Sequence, residues 1–140
     1  MKVSKLMNRE VVSVLPTATL HDAAQKMKEE NVGSILICEE DWRLKGILTD
    51  RDIGMAVAAD FKDPKTTFAS DIMKKEPVTI ESDADIDSAL RLMSKSVIRR
   101  LPVCENTKVI GMLSTSDVAT ELKDELNQFI GLEEAFAKHH

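Results

Sequence analysis

Tyrosine is missing altogether, and one tryptophan and four phenylalanines bring the aromatics to only 4 %. Proteins that track single-stranded nucleic acid stack successive bases on aromatic side chains, and too few are present for that. A basic excess is also missing: 19 Lys and Arg stand against 24 Asp and Glu, a formal net charge of −5. Broad binding to phosphate backbones rests on the opposite balance, so nucleic acid is not expected as a partner. A local basic pocket for a small anion stays open. Cysteine is scarce, and Cys38 and Cys104 are too few for a disulfide framework. No apolar run approaches the roughly 20 residues that span a bilayer, and no basic-then-apolar leader opens the chain. These absences suit a reduced, cytoplasmic protein without a membrane anchor. The rest of the composition, 43 % hydrophobic and 31 % charged over 140 residues, suits one compact unit or two small ones packed together.

What is present is a duplication, the feature to seek first. Leu6-Met7-Asn8-Arg9-Glu10-Val11-Val12-Ser13-Val14 aligns with Ile72-Met73-Lys74-Lys75-Glu76-Pro77-Val78-Thr79-Ile80. Further on, Ala23 falls on Ala89, Met27 on Met93 and Cys38 on Cys104. After a one-residue slip in a turn, Gly46 falls on Gly111, Leu48 on Leu113 and Asp52 on Asp117. Turns tolerate such length changes.

Each copy predicts the same elements. Val11 to Val14 reads as a short strand. Leu20, Ala23, Ala24 and Met27 recur at helical spacing behind a Thr19 cap, giving a helix to Glu30. Ser34 to Cys38 is a buried strand, Asp41 to Arg43 a turn, Leu44 to Leu48 a strand, and Thr49 opens a helix to about Ala59. The second copy gives Val78–Ile80, Ile86–Ser96, Arg100–Val103, Val109–Leu113 and a helix from Thr115 to about Asn127. The expected fold is α/β (α+β): two β-α-β-β-α repeats, with residues 1–64 as the first repeat and linker, 65–127 as the second, and 128–140 as an extension with a possible short helix of its own. Neither copy covers both faces of its sheet, so two copies related by a pseudo-twofold axis bury those faces on each other and leave two related clefts.

Gly46-Ile47-Leu48-Thr49-Asp50-Arg51-Asp52 and Gly111-Met112-Leu113-Ser114-Thr115-Ser116-Asp117 share one form. The glycine permits close backbone approach within a strand. The hydroxyl stands at a strand-to-helix junction, where free N–H groups and the helix dipole favour an anion. The aspartate three residues on suits the two cis hydroxyls of a ribose. The same spacing is also a simple capping arrangement, with hydroxyl and carboxylate spent on the helix's own N–H groups. The residues leave both readings open.

The motif, on this order of strands and helices, resembles the CBS domain, and the tandem resembles a Bateman module of the small stand-alone prokaryotic type. Val97-Ile98-Arg99-Arg100-Leu101-Pro102-Val103 is similar to the family's second-strand signature, and Thr49-Asp50-Arg51-Asp52 to a form common in such pairs. The likeness runs from about Ser4 to Asn127. It implies a non-catalytic sensor that binds AMP, ADP or ATP as a regulatory ligand, dimerises, and acts on an effector protein that the sequence does not name. S-adenosylmethionine, or a scaffold with empty clefts, are the alternatives.

Carried over by position, one cleft takes Thr49, Arg51 and Asp52 with Val78, Thr79, Ile98, Arg99 and Arg100. Asp52 would hold the ribose, Thr49 would meet phosphate, Arg51 and Arg99 would neutralise it, and Val78 and Ile98 would sandwich the base. The other cleft takes Ser114, Ser116 and Asp117 with Val12, Ser13, Val32, Gly33 and Ser34. Gly33-Ser34 stand where the other copy has Arg99-Arg100, so the Asp52 cleft is expected to be the stronger phosphate binder. Strand alternation turns Arg99 and Arg100 to opposite faces, so in regular strand only one enters the cleft.

Other residues carry less. His21 begins a helix and reads as surface; no Cys/His spacing suits zinc; no nucleophile–base pair appears. Phe129, Ile130, Leu132 and Phe136 form an apolar stripe that packs on its own domain or meets a partner. His139 and His140 read as added terminal sequence.

Overall fold

A computed structural model describes residues 1–139. His140 lies outside the described residues. The chain begins with a helical turn, α1 (Val3–Leu6), and then builds β1 (Ser13–Val14), α2 (Leu20–Glu30), β2 (Ser34–Cys38), β3 (Leu44–Thr49) and α3 (Asp50–Ala58). The second copy repeats this as α4 (Ala69–Ile72), β4 (Lys74–Lys75), β5 (Ile80–Glu81), α5 (Ile86–Ser96), β6 (Arg100–Glu105), β7 (Lys108–Ser114) and α6 (Thr115–His139). One sheet runs β1-β2-β3-β4 and the other β5-β6-β7. In each, a parallel pair is followed by an antiparallel one, β1 on β2 on β3 and β5 on β6 on β7.

The first helix of each copy shows why the sequence folds so. Thr19 and Asp22 form a reciprocal capping box at the start of α2. Leu20, Ala23 and Met27 make its buried face, and Ala89 and Met93 do the same on α5. Each helix stops at a left-handed residue, Asn31 (φ 55°) and Val97 (φ 54°). Asparagine tolerates that conformation, whereas a β-branched valine is strained in it. The Leu20 and His21 N–H groups, left without helical partners, donate to the linker carbonyls of Thr67 and Pro64 at 3.0 and 2.9 Å. In the second copy the Ile86 N–H donates to the Met1 carbonyl at 3.0 Å.

That last bond belongs to a larger exchange. The N-terminal arm of each copy lies on the other copy's sheet. Asn8 and Met112 exchange backbone bonds of 2.8 and 2.9 Å, placing the first arm on β7. Reciprocally, β4 pairs with β3, Lys74 opposite Ile47 and Lys75 opposite Gly46. Val3 and Met7 accordingly belong to the core of the second copy, with Ala89, Met93, Leu101, Val103 and Leu113. Ala69 belongs to the core of the first, with Leu20, Ile35, Ile37 and Leu48. A third cluster seals the seam: Leu36, Cys38, Cys104 and Val109 are buried, with Val11, Leu44, Ile47 and Met112 packed around them. Across it the Leu44 N–H donates to the Thr107 carbonyl and the Val109 N–H to the Trp42 carbonyl, at 3.4 and 2.9 Å. These bonds are each other's image under the repeat, as a pseudo-twofold axis requires.

The first strand of each copy is shorter than the sequence predicts. Val11 and Val12 stay outside β1, although the Val12 carbonyl still accepts from the Leu36 N–H at 3.2 Å. Val78 and Thr79 likewise lie outside β5, after Pro77, which has no N–H for a ladder. The C-terminal expectation is corrected. Residues 128–139 form no separate helix but continue α6, 25 residues long, because Gly131 alone does not break a run of good helix formers.

Candidate functional site

The two glycine motifs sit where the arms cross. A Cβ on Gly46 would stand 2.5 Å from the Met73 sulfur and 2.8 Å from the Lys74 carbonyl oxygen. On Gly111 it would stand 2.6 Å from the Met7 sulfur and 3.1 Å from the Asn8 carbonyl oxygen. Glycine is needed in β3 and β7 because the other copy's arm lies against the strand there, the close approach its strand position suggested.

Both motifs then turn into helices through the same cap. The Thr49 N–H donates to Asp52 Oδ2 at 3.0 Å, and the Asp52 N–H donates to Thr49 Oγ1 at 3.1 Å. The Ser114 N–H donates to Asp117 Oδ2 at 3.1 Å, and the Asp117 N–H donates to Ser114 Oγ at 3.2 Å. Capping is therefore realised at both motifs. It occupies one carboxylate oxygen of each aspartate. The other, Oδ1, makes no hydrogen bond among the described residues. Both aspartates are half-buried.

Beside Asp117 there is room. A cleft with about 670 Å³ of atom-free space, part of it open to solvent, is lined by Asn8, Glu10, Val12, Val32, Ser34, Arg100, Met112, Ser114 and Asp117. Val12 and Val32 come from the first copy and Met112, Ser114 and Asp117 from the second, so it lies between the halves. Asn8, Glu10, Val12 and Val32 also border an adjoining cavity that holds Lys26 and Glu30, an ion pair at 3.8 Å.

Of the residues expected here, Val12, Val32, Ser34, Ser114 and Asp117 come together. Ser13 and Gly33 do not line this cleft. Ser13, one step along from Val12, borders another cavity with Cys38 and Trp42, as strand alternation dictates. Gly33 lies beside Asp50, whose N–H donates to its carbonyl at 3.0 Å. Ser116 is exposed, its hydroxyl 2.9 Å from that of Ser114.

On the other side, Thr49 is half-buried with Asp52, and Arg51, Val78, Thr79 and Arg99 are exposed. Ile98 is partly buried against the second copy's core. Arg100 is the correction. Grouped with Asp52 by position, it lines the Asp117 cleft instead. Its cross-strand partner in the β6–β7 ladder is Ser114, and Arg99 lies just outside the strand. The Asp117 cleft is thus not without a cation. Arg51, Arg99 and Arg100 form no ion pair among the described residues. Asn8, Glu10 and Met112 were not foreseen as site residues. Asn8 and Glu10 stood in the aligned repeat, but only the exchange of arms carries them to the other copy's motif.

Elsewhere, burial pushes the Cys38 thiol up to about 11, with the nearby Cys104 adding to the effect. Burial raises Cys104 as well, with Glu81 contributing. Both thiols are free and protonated at neutral pH. Among the described residues no group of three or more His, Cys, Asp and Glu side chains is placed to hold a metal ion, and no helix is long and apolar enough to cross a membrane.

Comparison with known proteins agrees with this architecture. The CBS domain family matches residues 3–59 and again residues 69–124. Uncharacterized protein YlbB of Bacillus subtilis is 35 % identical over 131 residues, covering 93 % of this chain and 86 % of that protein. Uncharacterized protein MK0525 of Methanopyrus kandleri is 36 % identical over 117 residues, 83 % of this chain, which spans 60 % of that longer protein. Among solved structures, Hypoxic Response Protein I, crystallised with two coordinated zinc ions, superposes with a TM-score of 0.78 at 33 % identity, covering 86 % of this chain and 98 % of that one. Two matched segments, two repeated cores and two glycine–hydroxyl–aspartate motifs coincide: the chain belongs to the CBS domain family and carries a tandem pair of its domains.

Proposed function

We propose that this chain is a non-catalytic regulatory module that binds an adenine nucleotide between its two CBS domains. The observation that carries the reading is Asp117. One of its oxygens closes the α6 cap, and the other is unengaged beside a cleft walled by Val12, Val32 and Met112 and reached by Arg100. A carboxylate fixed in this way is pre-organised to accept from ribose hydroxyls, the apolar walls suit a purine, and the guanidinium suits phosphate. Glu10 and Asp117 against the single cation Arg100 favour few phosphates, so AMP is the ligand of this cleft. ADP and ATP go to the Asp52 side, where Arg51 and Arg99 stand exposed and without an ion pair among the described residues. The stronger binding of polyphosphates belongs there.

Isothermal titration and thermal shift with AMP, ADP and ATP test this. Saturating AMP raises the melting temperature. Asp117→Asn keeps an oxygen for the Ser114 N–H while losing the charge, so it lowers AMP affinity with little loss of stability. Failure of all three nucleotides to bind or stabilise the protein overturns the reading and leaves the scaffold alternative.

The module works in a reducing cytoplasmic setting and as a homodimer acting on an effector protein. Along α6, Leu122, Leu126, Phe129, Ile130, Leu132 and Phe136 are between 45 % and 64 % exposed. They continue past the turn whose Val118 is buried in the core. Covering them in two copies buries on the order of 1,200 Å², the scale of a specific interface. Sedimentation of wild type against Leu126→Glu checks it: the variant is monomeric, and a wild-type monomer at high concentration removes the dimer.

A further inference from the structure

We infer that the corner around Trp42 is a docking site for a partner protein, and that it takes a segment carrying arginine or lysine next to an apolar residue. Docking there goes beyond nucleotide binding and does not depend on it. Trp42 is the chain's one tryptophan. It holds a left-handed conformation, φ 70°, in which a bulky side chain is strained. The seam accounts for the backbone at this place but not for the side chain. The Trp42 carbonyl accepts from the Val109 N–H, and the carbonyl of its image in the other copy, Thr107 (φ 72°), accepts from the Leu44 N–H. Glycine would meet that demand without strain, and the second copy meets it with a threonine. Trp42 also belongs to none of the three buried clusters and is 44 % exposed. Neither the seam nor the core requires an indole here.

Its surroundings are equally one-sided. Two adjoining grooves share Leu15, Glu39 and Glu40; one runs on to Pro16 and Arg43, the other to Trp42. Leu15 is 41 % exposed. The turn's own cation is occupied, because Arg43 Nε pairs with Asp41 Oδ2 at 2.9 Å. Lys108 joins Arg43 across the seam by a backbone bridge. Glu39 and Glu40 make no ion pair among the described residues. In the second copy the repeat positions of Leu15, Pro16 and Trp42 are Glu81, Ser82 and Thr107. Glu105, at the position of Glu39, accepts there from the Ser82 hydroxyl at 3.1 Å. That corner is polar and engages its own acid. Duplication therefore leaves one corner with exposed apolar side chains beside two carboxylates without a cation. A guanidinium or ammonium suits both features: it stacks on an indole face and forms charge-assisted bonds with carboxylates. An apolar neighbour then covers Leu15. A wholly apolar segment would bury the carboxylates without partners, and an acidic one would be repelled. No residue of α6 borders either groove, so this surface is separate from the apolar stripe of that helix.

With one tryptophan and no tyrosine, the fluorescence of the intact chain reads this corner directly. The probe is a capped six-residue peptide alternating leucine and arginine. Its controls carry glutamate in place of arginine, or serine in place of leucine. We expect the leucine–arginine peptide to change the emission saturably and each control to bind about tenfold or more weakly. Polarisation of the labelled peptide then follows two variants, Trp42→Thr, the residue of the other copy, and Glu39→Gln combined with Glu40→Gln. Each lowers affinity about tenfold or more, with melts by circular dichroism to show that it folds; if Trp42→Thr does not fold, the glutamine pair decides. No saturable binding, or equal binding of the arginine and glutamate peptides, overturns the inference. Binding undiminished in both variants means diffuse attraction to an acidic protein and overturns it too. Emission that shifts with protein concentration alone means that a second copy covers the corner, with the same consequence. A protein that binds this peptide but no AMP, ADP or ATP loses the nucleotide reading and keeps this one.

Discussion

The two halves share a backbone, a cap and a motif, but they differ in what stands around the carboxylate. Asp52 and Asp117 are held by matching bonds of 3.0 to 3.2 Å. Around Asp117 the neighbours are Ser34, Glu10 and Asn8 with one arginine. The repeat position of Asn8 in the other copy is Lys74, and Arg51 stands next to Asp52 in sequence. Duplication has kept the device that positions the aspartate and varied the charge around it. Helix capping and ligand binding are not competing uses of this motif, because a carboxylate has two oxygens and the cap needs one.

The comparison between halves can be broken most strongly at the seam. Leu36 is fully buried between the two copies, and Leu36→Ala costs about 2–5 kcal/mol by the transfer and cavity terms. Urea denaturation checks it; a loss under 1 kcal/mol means that the halves do not depend on each other. Next come the glycines. Gly46→Ala forces apart the Lys74 carbonyl and the Met73 side chain and costs about 1–3 kcal/mol. Gly111→Ala costs less, because its nearest backbone atom is farther away, 3.1 Å against 2.8 Å. Equal losses in the same denaturation series would erase the difference between the arms.

A smaller effect lies at the paired helix ends. Val97 holds a left-handed conformation while 89 % exposed, so its side chain offsets little of the strain. Val97→Asn, the residue of the other copy, stabilises the protein by about 1 kcal/mol. The reciprocal Asn31→Val destabilises it by a similar amount. Thermal melts of the two variants moving the same way contradict this account. The smallest effect at neutral pH concerns Cys38. An acid whose folded pKa is raised keeps its proton longer in the folded state, so stability falls as pH rises from the ordinary value near 9.0 toward about 11. Below 9 it contributes nothing. Cys38→Ala should flatten the alkaline limb of the stability curve measured by denaturation between pH 8 and 11. An unchanged limb shows that other groups govern it.

The legible part of the fold was the part written in local pattern. α5 spans Ile86–Ser96 and α2 spans Leu20–Glu30 as the apolar spacing predicts. The first strands were overextended because Val11 and Val78 look like strand residues, whereas Val11 packs into the seam and Pro77 cannot join a ladder. At the site, Val12, Val32, Ser34, Ser114 and Asp117 were readable from the motif and its repeat. Asn8 and Glu10 were not, because nothing in a single copy says which sheet its arm will lie on. Arg100 was assigned to the wrong side for a related reason: alternation tells which residues share a face, not which cleft that face meets.

Residue order alone settled the duplication, the order of helices and strands, and the capped aspartates, since each depends on spacings of a few residues and on propensities that act locally. The exchange of arms, the sealed seam with its two thiols, and the side on which Arg100 stands were settled only when two copies packed together. Those features depend on which apolar surfaces meet across a pseudo-twofold axis, and burial between distant segments leaves no periodic trace in either of them.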